Sequence, residues 1–455
     1  MFRLDTVSFF SYLADFFLIF LIIFTPFFYG SVTAVGYIFM ESFIFLFFTL
    51  WLIKMILGGN LLFLKTNLLI TLILFVFLVI IQIIPLPLKI IEFISPKIAH
   101  IYRELLPLKS KVLPFFTLSI CVNSTIDFLF KILSYFLIFF LIINYIQKKE
   151  QFQILFNAII ICGFIISIFA IIQNFTYANL DKVYWFDING SAPSCFGPFV
   201  NRNHFAGYME MVIPLCLGYL ISDIDIKRKT LYGMSLFVIS LSLFLSLSRA
   251  GMVIYLLELL SMIIFLWIKK RFEEQSIIMW LSFLFILVFI FFLTDFKVIF
   301  ERFFSIFEAS PKESIFERGY RWQDMFKIWY DFPFLGIGGG AFSSIAPLYK
   351  RVNLQMTIVH AHNDYLELLV ETGIFGFLLL SLFFYLYFSQ VIKMWMKRHD
   401  RFVVGLVLGG IISNLGILIH SWVDFNLRIP ANALLFFIIS GLTYKLVFSI
   451  FKFNK

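Results

Sequence analysis

The chain is divided into apolar stretches of about twenty residues, the length a helix needs to cross the roughly 30 Å hydrocarbon layer of a bilayer. About twelve can be read, at 8–28, 34–57, 66–86, 127–146, 152–173, 204–222, 231–248, 251–268, 277–295, 365–392, 402–420 and 430–450. In lipid each backbone N–H and C=O must find its partner inside the spanning structure, so the stretches are predicted to be helices. A membrane barrel would show short alternating segments instead. Composition agrees: 61% of the 455 residues are hydrophobic and 14% are charged. The expected fold is an all-α polytopic membrane protein, one membrane domain over 1–455 with no repeat and no low-complexity linker.

The formal net charge of +9 reads as topology. Lysine and arginine cluster at Lys54/Lys65, Lys148/Lys149, Lys227/Arg228/Lys229, Lys269/Lys270/Arg271, Lys393/Lys397/Arg398/Arg401 and Lys452/Lys455, and in a twelve-helix arrangement all of these fall on one side. By the positive-inside rule that side is the cytoplasm, with both termini there. Orientation accounts for these clusters, and nucleic acid is not an expected partner. Only Arg3 precedes the first helix and no small-residue cleavage site follows it, so the helix is expected to be retained. Cys121 and Cys195 lie in expected external loops and could pair there.

Three expected external segments are too long to be simple turns: 87–126, 174–203 and 296–364, the last a large loop between the ninth and tenth helices. The first contains PLPLKIIEFISPKIAHIYREL, an amphipathic pattern expected to lie along the membrane surface. Outside that segment the external cations are mostly arginine, whose planar fork matches phosphate or carboxylate oxygens in pairs. SLSRAGM puts Arg249 in a minimal external turn, against the positive-inside bias; it either snorkels to headgroups or binds an anion. GPFVNRNHFAG puts Arg202, Asn203 and His204 where a loop becomes a helix, which suits a phosphate seat or an ordinary polar cap. ERGYRWQDMFKIWYDFPFLGIGGGAF carries Arg318 and Arg321 on about one helical face. Its glycine run, 336–340, lacks a P-loop lysine and reads better as a tight turn than as a phosphate cradle.

HAHNDYLELLVETG, residues 360–373, places His360 and His362 before Asp364, Glu367 and Glu371. On a helix starting near 363 these carboxylates form one stripe, which should face a polar cavity. They are functional or they form an ion-pair network with the arginines. His-x-His-x-Asp also resembles a metal set, but with no further ligand cluster and with cations nearby, a neutral histidine acting as general base is the better reading. HSWVDFNLRIP adds His420, Asp424 and Arg428 at an external turn, to shape the site or to make a salt bridge.

His362–Asn363 followed by Gly373 and Gly376 resembles the signature of the bacterial O-antigen ligase and polymerase superfamily, the likeness running over about 190–440 and including FVNRNHFAG, SRAGM, GIGGGAF and HSWVDFNLRIPANALLF. Arg202 departs from it, standing where many members have proline in an Asn-Pro-Asn element. The resemblance implies a GT-C-like inner-membrane glycosyltransferase with about twelve transmembrane helices and a periplasmic active site. Its members move a glycan from undecaprenyl pyrophosphate to an acceptor sugar hydroxyl with inversion, without metal or cofactor. By that resemblance Arg249 and Arg321 bind the donor pyrophosphate and His362 activates the acceptor, while Arg318 and Arg202 join the arginine set and Asn203, His204, His360, Asn363, Asp364, Glu367, His420, Asp424 and Arg428 support it. The acceptor would be lipid A core in a ligase or a second lipid-linked glycan in a polymerase. A lipid-linked glycan transporter is the rival from another class, with Asp15, Glu41, Glu210 and Glu258 inside helices as a proton path.

Overall fold

The computed structural model describes residues 2–58, 63–105, 115–176, 195–222, 224–269, 315–349 and 359–450, with backbone alone for 2–12, 105 and 315–321. The expected span at 277–295 and the loop up to residue 314 lie outside the described residues.

The described chain is almost wholly helical. Its helices are α1 (Phe2–Phe27), α2 (Ala34–Leu57), α3 (Asn67–Ile83), α4 (Leu88–Ile94), α5 (Pro96–Leu105), α6 (Val122–Tyr145), α7 (Lys149–Thr176), α8 (Arg202–Ile221), α9 (Ile226–Leu245), α10 (Arg249–Ile268), α11 (Ile315–Asp331), α12 (Phe342–Tyr349), α13 (Asp364–Lys397), α14 (Arg401–His420) and α15 (Pro430–Phe448). Among the described residues nine are long and apolar enough to cross a membrane, and shorter apolar helices at Leu13–Phe27 and Asn67–Ile83 occupy two further expected positions. The protein is an all-α, multi-pass membrane protein.

Polar caps set where the helices that carry the candidate residues begin. Asn201, Ser248 and Asn363 each accept a backbone N–H from the first turn of α8, α10 and α13. α8 lies at the centre and is buried on all sides, with α14 and α15 nearly so. α8 and α14 approach backbone to backbone: a Cβ on Gly218 would stand 2.6 Å from the Gly405 carbonyl oxygen. At the end carrying the lysines, Lys269 donates to the Trp395 carbonyl and Arg398 to that of Ser449, so α10, α13 and α15 finish together. The candidate residues gather at the other end.

The amphipathic segment after α3 forms α4 and α5, bracketed by the short antiparallel pair Leu86–Pro87 and Phe115–Phe116. Ile91 and Ile98 from these helices share a second apolar core with Met325 and Phe332 around α11 and with Val370 of α13. The glycine run is a turn, as expected, and it packs on a break in α13 at Gly373, which has φ +62° and ψ −172°. There Ile374 N–H donates to Pro333 O at 2.8 Å, and Ile337 and Gly338 N–H donate to the carbonyls of Val370 and Glu371 at 3.1 Å each. Gly339 N–H donates to Gln82 Oε1 at 3.0 Å, while Gln82 Nε2 donates to Leu335 O at 2.6 Å and Glu371 O at 2.8 Å. These amides are bonded to protein oxygens, which removes the phosphate-cradle reading. All four cysteines are free, so Cys121 and Cys195 do not pair; Cys121 Sγ instead sits 3.2 Å from Ser124 Oγ.

Candidate functional site

His362 leads α13 in a left-handed backbone conformation, φ +53°, which a residue other than glycine adopts only where its surroundings hold it. Its Nδ1 lies 3.3 Å from Asp424 Oδ1. An ionised carboxylate can only accept, so Nδ1 carries the proton and Nε2 is left as the basic nitrogen. Asp424 is itself fixed: Asn203 Nδ2 donates to Oδ2 at 2.7 Å, the Phe425 N–H donates to Oδ1 at 2.9 Å, and His204 Nε2 stands 3.9 Å away. Burial alone would push the Asp424 carboxyl up. The hydrogen bond from His362 and the imidazoles of His204 and His420 outweigh it and hold Asp424 well below the usual carboxylate range.

From Asp424 the bonding runs on to the arginine turn. Asn203 Oδ1 accepts from Ser248 Oγ at 2.9 Å, and Ser248 also caps α10 by accepting the Gly251 N–H at 3.3 Å. Arg249 is therefore the first residue of a helix whose cap is hydrogen-bonded into the His362 assembly, and Arg202 opens α8 next to Asn203. Two helix N-termini and two guanidinium-bearing positions thus adjoin one face of the site, an arrangement that favours an anion. Arg318 and Arg321 lie on α11, whose first residues are described in backbone only, so their side chains lie outside the described residues.

His360 turns the other way. Its Nδ1 is 3.0 Å from Glu367 Oε1, and Glu367 Oε2 accepts the Ala361 N–H at 2.9 Å. The ring of Phe425 separates the two histidines: His360 stacks on it at 4.3 Å, and His362 and His204 meet its edge at 4.9 and 4.6 Å. Behind His360 the predicted stripe is realised around one cation. Arg428 reaches Glu371 at 2.6 Å, Glu367 at 3.5 Å and Asp364 at 3.9 Å, and Asp364 also accepts the Leu427 N–H at 3.0 Å. Burial would lower the Arg428 guanidinium, but Glu371, Glu367 and Asp364 outweigh it and hold the charge in place. His360, His362 and Asp364 point to three different partners and form no common ligand set.

Asn363 is the α13 cap, accepting from Tyr365 and Leu366 N–H at 3.0 Å each, and its role is positional. His420 is wholly buried at the end of α14, its Nδ1 3.0 Å from the Glu210 carboxylate, so it stands behind the site as a structural pair. Its carbonyl accepts the Asp424 N–H at 3.1 Å and so holds the turn. Asp15 is bonded elsewhere, to Tyr145 at 2.8 Å and Gln151 at 3.2 Å, so the acidic residues of the proton-path reading do not form one hydrogen-bonded row.

A cavity of about 410 Å³ opens on the His360 side, lined by the carboxylate stripe and Arg428 at one end and by Phe377, Phe384 and Phe436 deeper in. Sequence reasoning missed Asp127 and Lys131, which line it from α6. The available signal was two charges one turn apart inside an apolar stretch. It also missed Gln82 and Ser248, whose roles depend on partners far away in the chain.

A polar centre of paired histidines and carboxylates at one end of a multi-pass helical bundle is the class these features define. Residues 234–381, about a third of the chain, match the family described as O-antigen ligase. That stretch holds Arg249, His360, His362 and Asn363; Asn203, Asp424 and Arg428 lie outside it and are joined to it by the contacts above. No curated protein matches the chain.

Proposed function

We propose that this protein is an inner-membrane glycosyltransferase that moves a glycan from undecaprenyl pyrophosphate to a sugar hydroxyl of lipid A core on the periplasmic face. The observation that carries the reading is the bonded series His362–Asp424–Asn203–Ser248, which ties a histidine with a free Nε2 to the helix that Arg249 opens. A glycan on a lipid pyrophosphate needs its leaving group's charge met as the glycosidic bond breaks. Arg249, with Arg202 and the N-termini of α8 and α10, is placed for that, and Arg321 and Arg318 join them from α11 by the family resemblance. His362 Nε2 takes the acceptor hydroxyl's proton while the oxygen attacks the anomeric carbon from the face opposite the pyrophosphate, inverting it; a positioned base adds about 10²–10⁴ in rate. No metal or cofactor is assigned a step.

The enzyme is GT-C-like, with both termini in the cytoplasm. Its orientation is supported by the lysine-rich helix ends lying opposite the site. Membranes supplied with undecaprenyl-pyrophosphate glycan, with and without lipid A core, test it. Glycan on the core that disappears in His362→Ala and Arg249→Ala is the expected result. Chains that lengthen from donor alone would make the protein a polymerase, and activity unchanged in His362→Ala would remove the base.

A further inference from the structure

The cavity beside His360 has a charge pattern opposite to that of the His362 face. Its polar end carries Asp127, Asp364, Glu367 and Glu371 against Lys131 and Arg428, and Arg428 already serves three of those carboxylates. Asp127 and Lys131 stand one turn apart on α6. The Lys131 ammonium sits 4.0 Å from the Tyr37 ring centroid and lies in the field of Glu41 on α2 and of Asp127 itself, without a direct hydrogen bond or ion pair to a described residue. Charges inside a membrane helix are costly unless something meets them. Here they present one acceptor and one donor to the cavity, beside His360, whose side chain is 31% exposed.

From Ser124 to Phe136, both on its wall, the cavity follows α6 for about 18 Å at a helical rise of roughly 1.5 Å per residue. The deeper wall is aromatic and aliphatic. An occupant therefore has an apolar chain and a head that offers hydroxyls. A pyrophosphate head is disfavoured: it would face Asp127 and the buried stripe, with Arg428 already paired and Lys131 in the field of Glu41 and Asp127, whereas the His362 series leads to the helices that Arg202 and Arg249 open.

We infer that this cavity is the acceptor's half of the site, taking a lipid-anchored saccharide through its hydroxyls, with Asp127, Lys131 and His360 as the binding residues and the pyrophosphoryl donor confined to the His362 face. This rests on the transferase reading and deepens it. A polymerase would have to seat a second lipid pyrophosphate at the acidic end, so the inference favours ligation to an acceptor without one.

Purified protein in nanodiscs, assayed with donor and acceptor varied separately, tests it. Asp127→Asn and Lys131→Met should each raise the acceptor KM about tenfold, as expected for one lost hydrogen bond, with donor KM within about twofold of wild type. Ser381→Trp, a substitution at an exposed position on the cavity wall, should do the same without disturbing the fold. A raised donor KM with the acceptor's unchanged, or no change in either, overturns the assignment. Should wild type transfer nothing, the transferase reading fails, and the cavity is then tested by equilibrium binding of an alkyl maltoside against an alkyl pyrophosphate. Maltoside binding lost in Ser381→Trp upholds the hydroxyl-selective cavity; pyrophosphate binding lost in that variant refutes it.

Discussion

His360 and His362, separated by one residue, pair with different carboxylates on opposite sides of Phe425: His360 Nδ1 is 3.0 Å from Glu367 Oε1 and His362 Nδ1 is 3.3 Å from Asp424 Oδ1. The left-handed backbone at His362 makes this divergence possible, since consecutive extended residues would send both rings the same way. One short motif thereby serves two faces of unlike charge. The base is bonded into the series that leads to the start of α10, and its neighbour lines the cavity.

Asp424→Asn should therefore damage catalysis more than binding. The amide can donate to His362 Nδ1, which shifts the proton to Nε2 and removes the base. The expected result is a kcat lowered about 10²–10⁴-fold, the usual worth of a positioned base, with donor KM little changed. An unchanged kcat would detach Asp424 from the base.

Gly373 should tolerate no side chain. Its φ of +62° with extended ψ is open to glycine, and an added Cβ would stand 2.2 Å from the Phe334 carbonyl oxygen. Gly373→Ala should cost at least about 1–3 kcal/mol from backbone strain, with the clash added. Gly233 is the contrast: nothing lies within 4 Å of its added Cβ in the middle of α9, so Gly233→Ala should stabilise by about 0.5–1 kcal/mol. Thermal unfolding of the two variants in detergent separates position from residue type.

Much of this architecture could be read along the chain because membrane helices announce themselves by length and apolarity. The start of α13 near 363 could be placed from its sequence, whereas the caps Asn201 and Ser248 were not singled out. The carboxylate stripe at 364, 367 and 371 followed from helical spacing alone. Its cation did not. Arg428 is about sixty positions away, and nothing local distinguishes a guanidinium that neutralises three carboxylates from one that binds a phosphate. For the same reason Asp424 was placed at the site without its partner, and His420, which looks equally available in the same turn, proved to face Glu210 in the interior. Asp127 and Lys131 were absorbed into the hydropathy of their stretch, which averages two charges away.

Gln82 should prove a structural clamp rather than a site residue. Its amide satisfies the Gly339 N–H and the carbonyls of Leu335 and Glu371 at full burial. Gln82→Leu removes that partner from the Gly339 N–H and the Leu335 carbonyl, while the Glu371 carbonyl keeps the Gly338 N–H, at about 1–3 kcal/mol for each stranded group that water cannot reach. Limited proteolysis should then cut within 333–341 before the helices, and kcat should fall with the loss of folded protein. Wild-type resistance in this segment would show that the bonds of Ile337 and Gly338 to α13 suffice without the clamp.

Arg428 should be the most stability-sensitive charge at this end of the bundle. Its guanidinium contacts Glu371, Glu367 and Asp364 and lies over the Phe128 ring at 5.4 Å, so its removal strands buried carboxylates in an apolar surrounding. Breaking a buried ion pair from one side typically costs about 3–5 kcal/mol, and Arg428→Met should reach that range. Arg428→Lys should recover only part, because a point charge cannot reach several carboxylates as the planar fork does. Adding Glu371→Leu to Arg428→Met should restore stability by removing the carboxylate that has lost its 2.6 Å partner. A double-mutant cycle by thermal unfolding gives the coupling. If the double variant is no more stable than Arg428→Met alone, the cost arises from lost packing on Phe128 and the cavity wall, and the stripe does not depend on this cation.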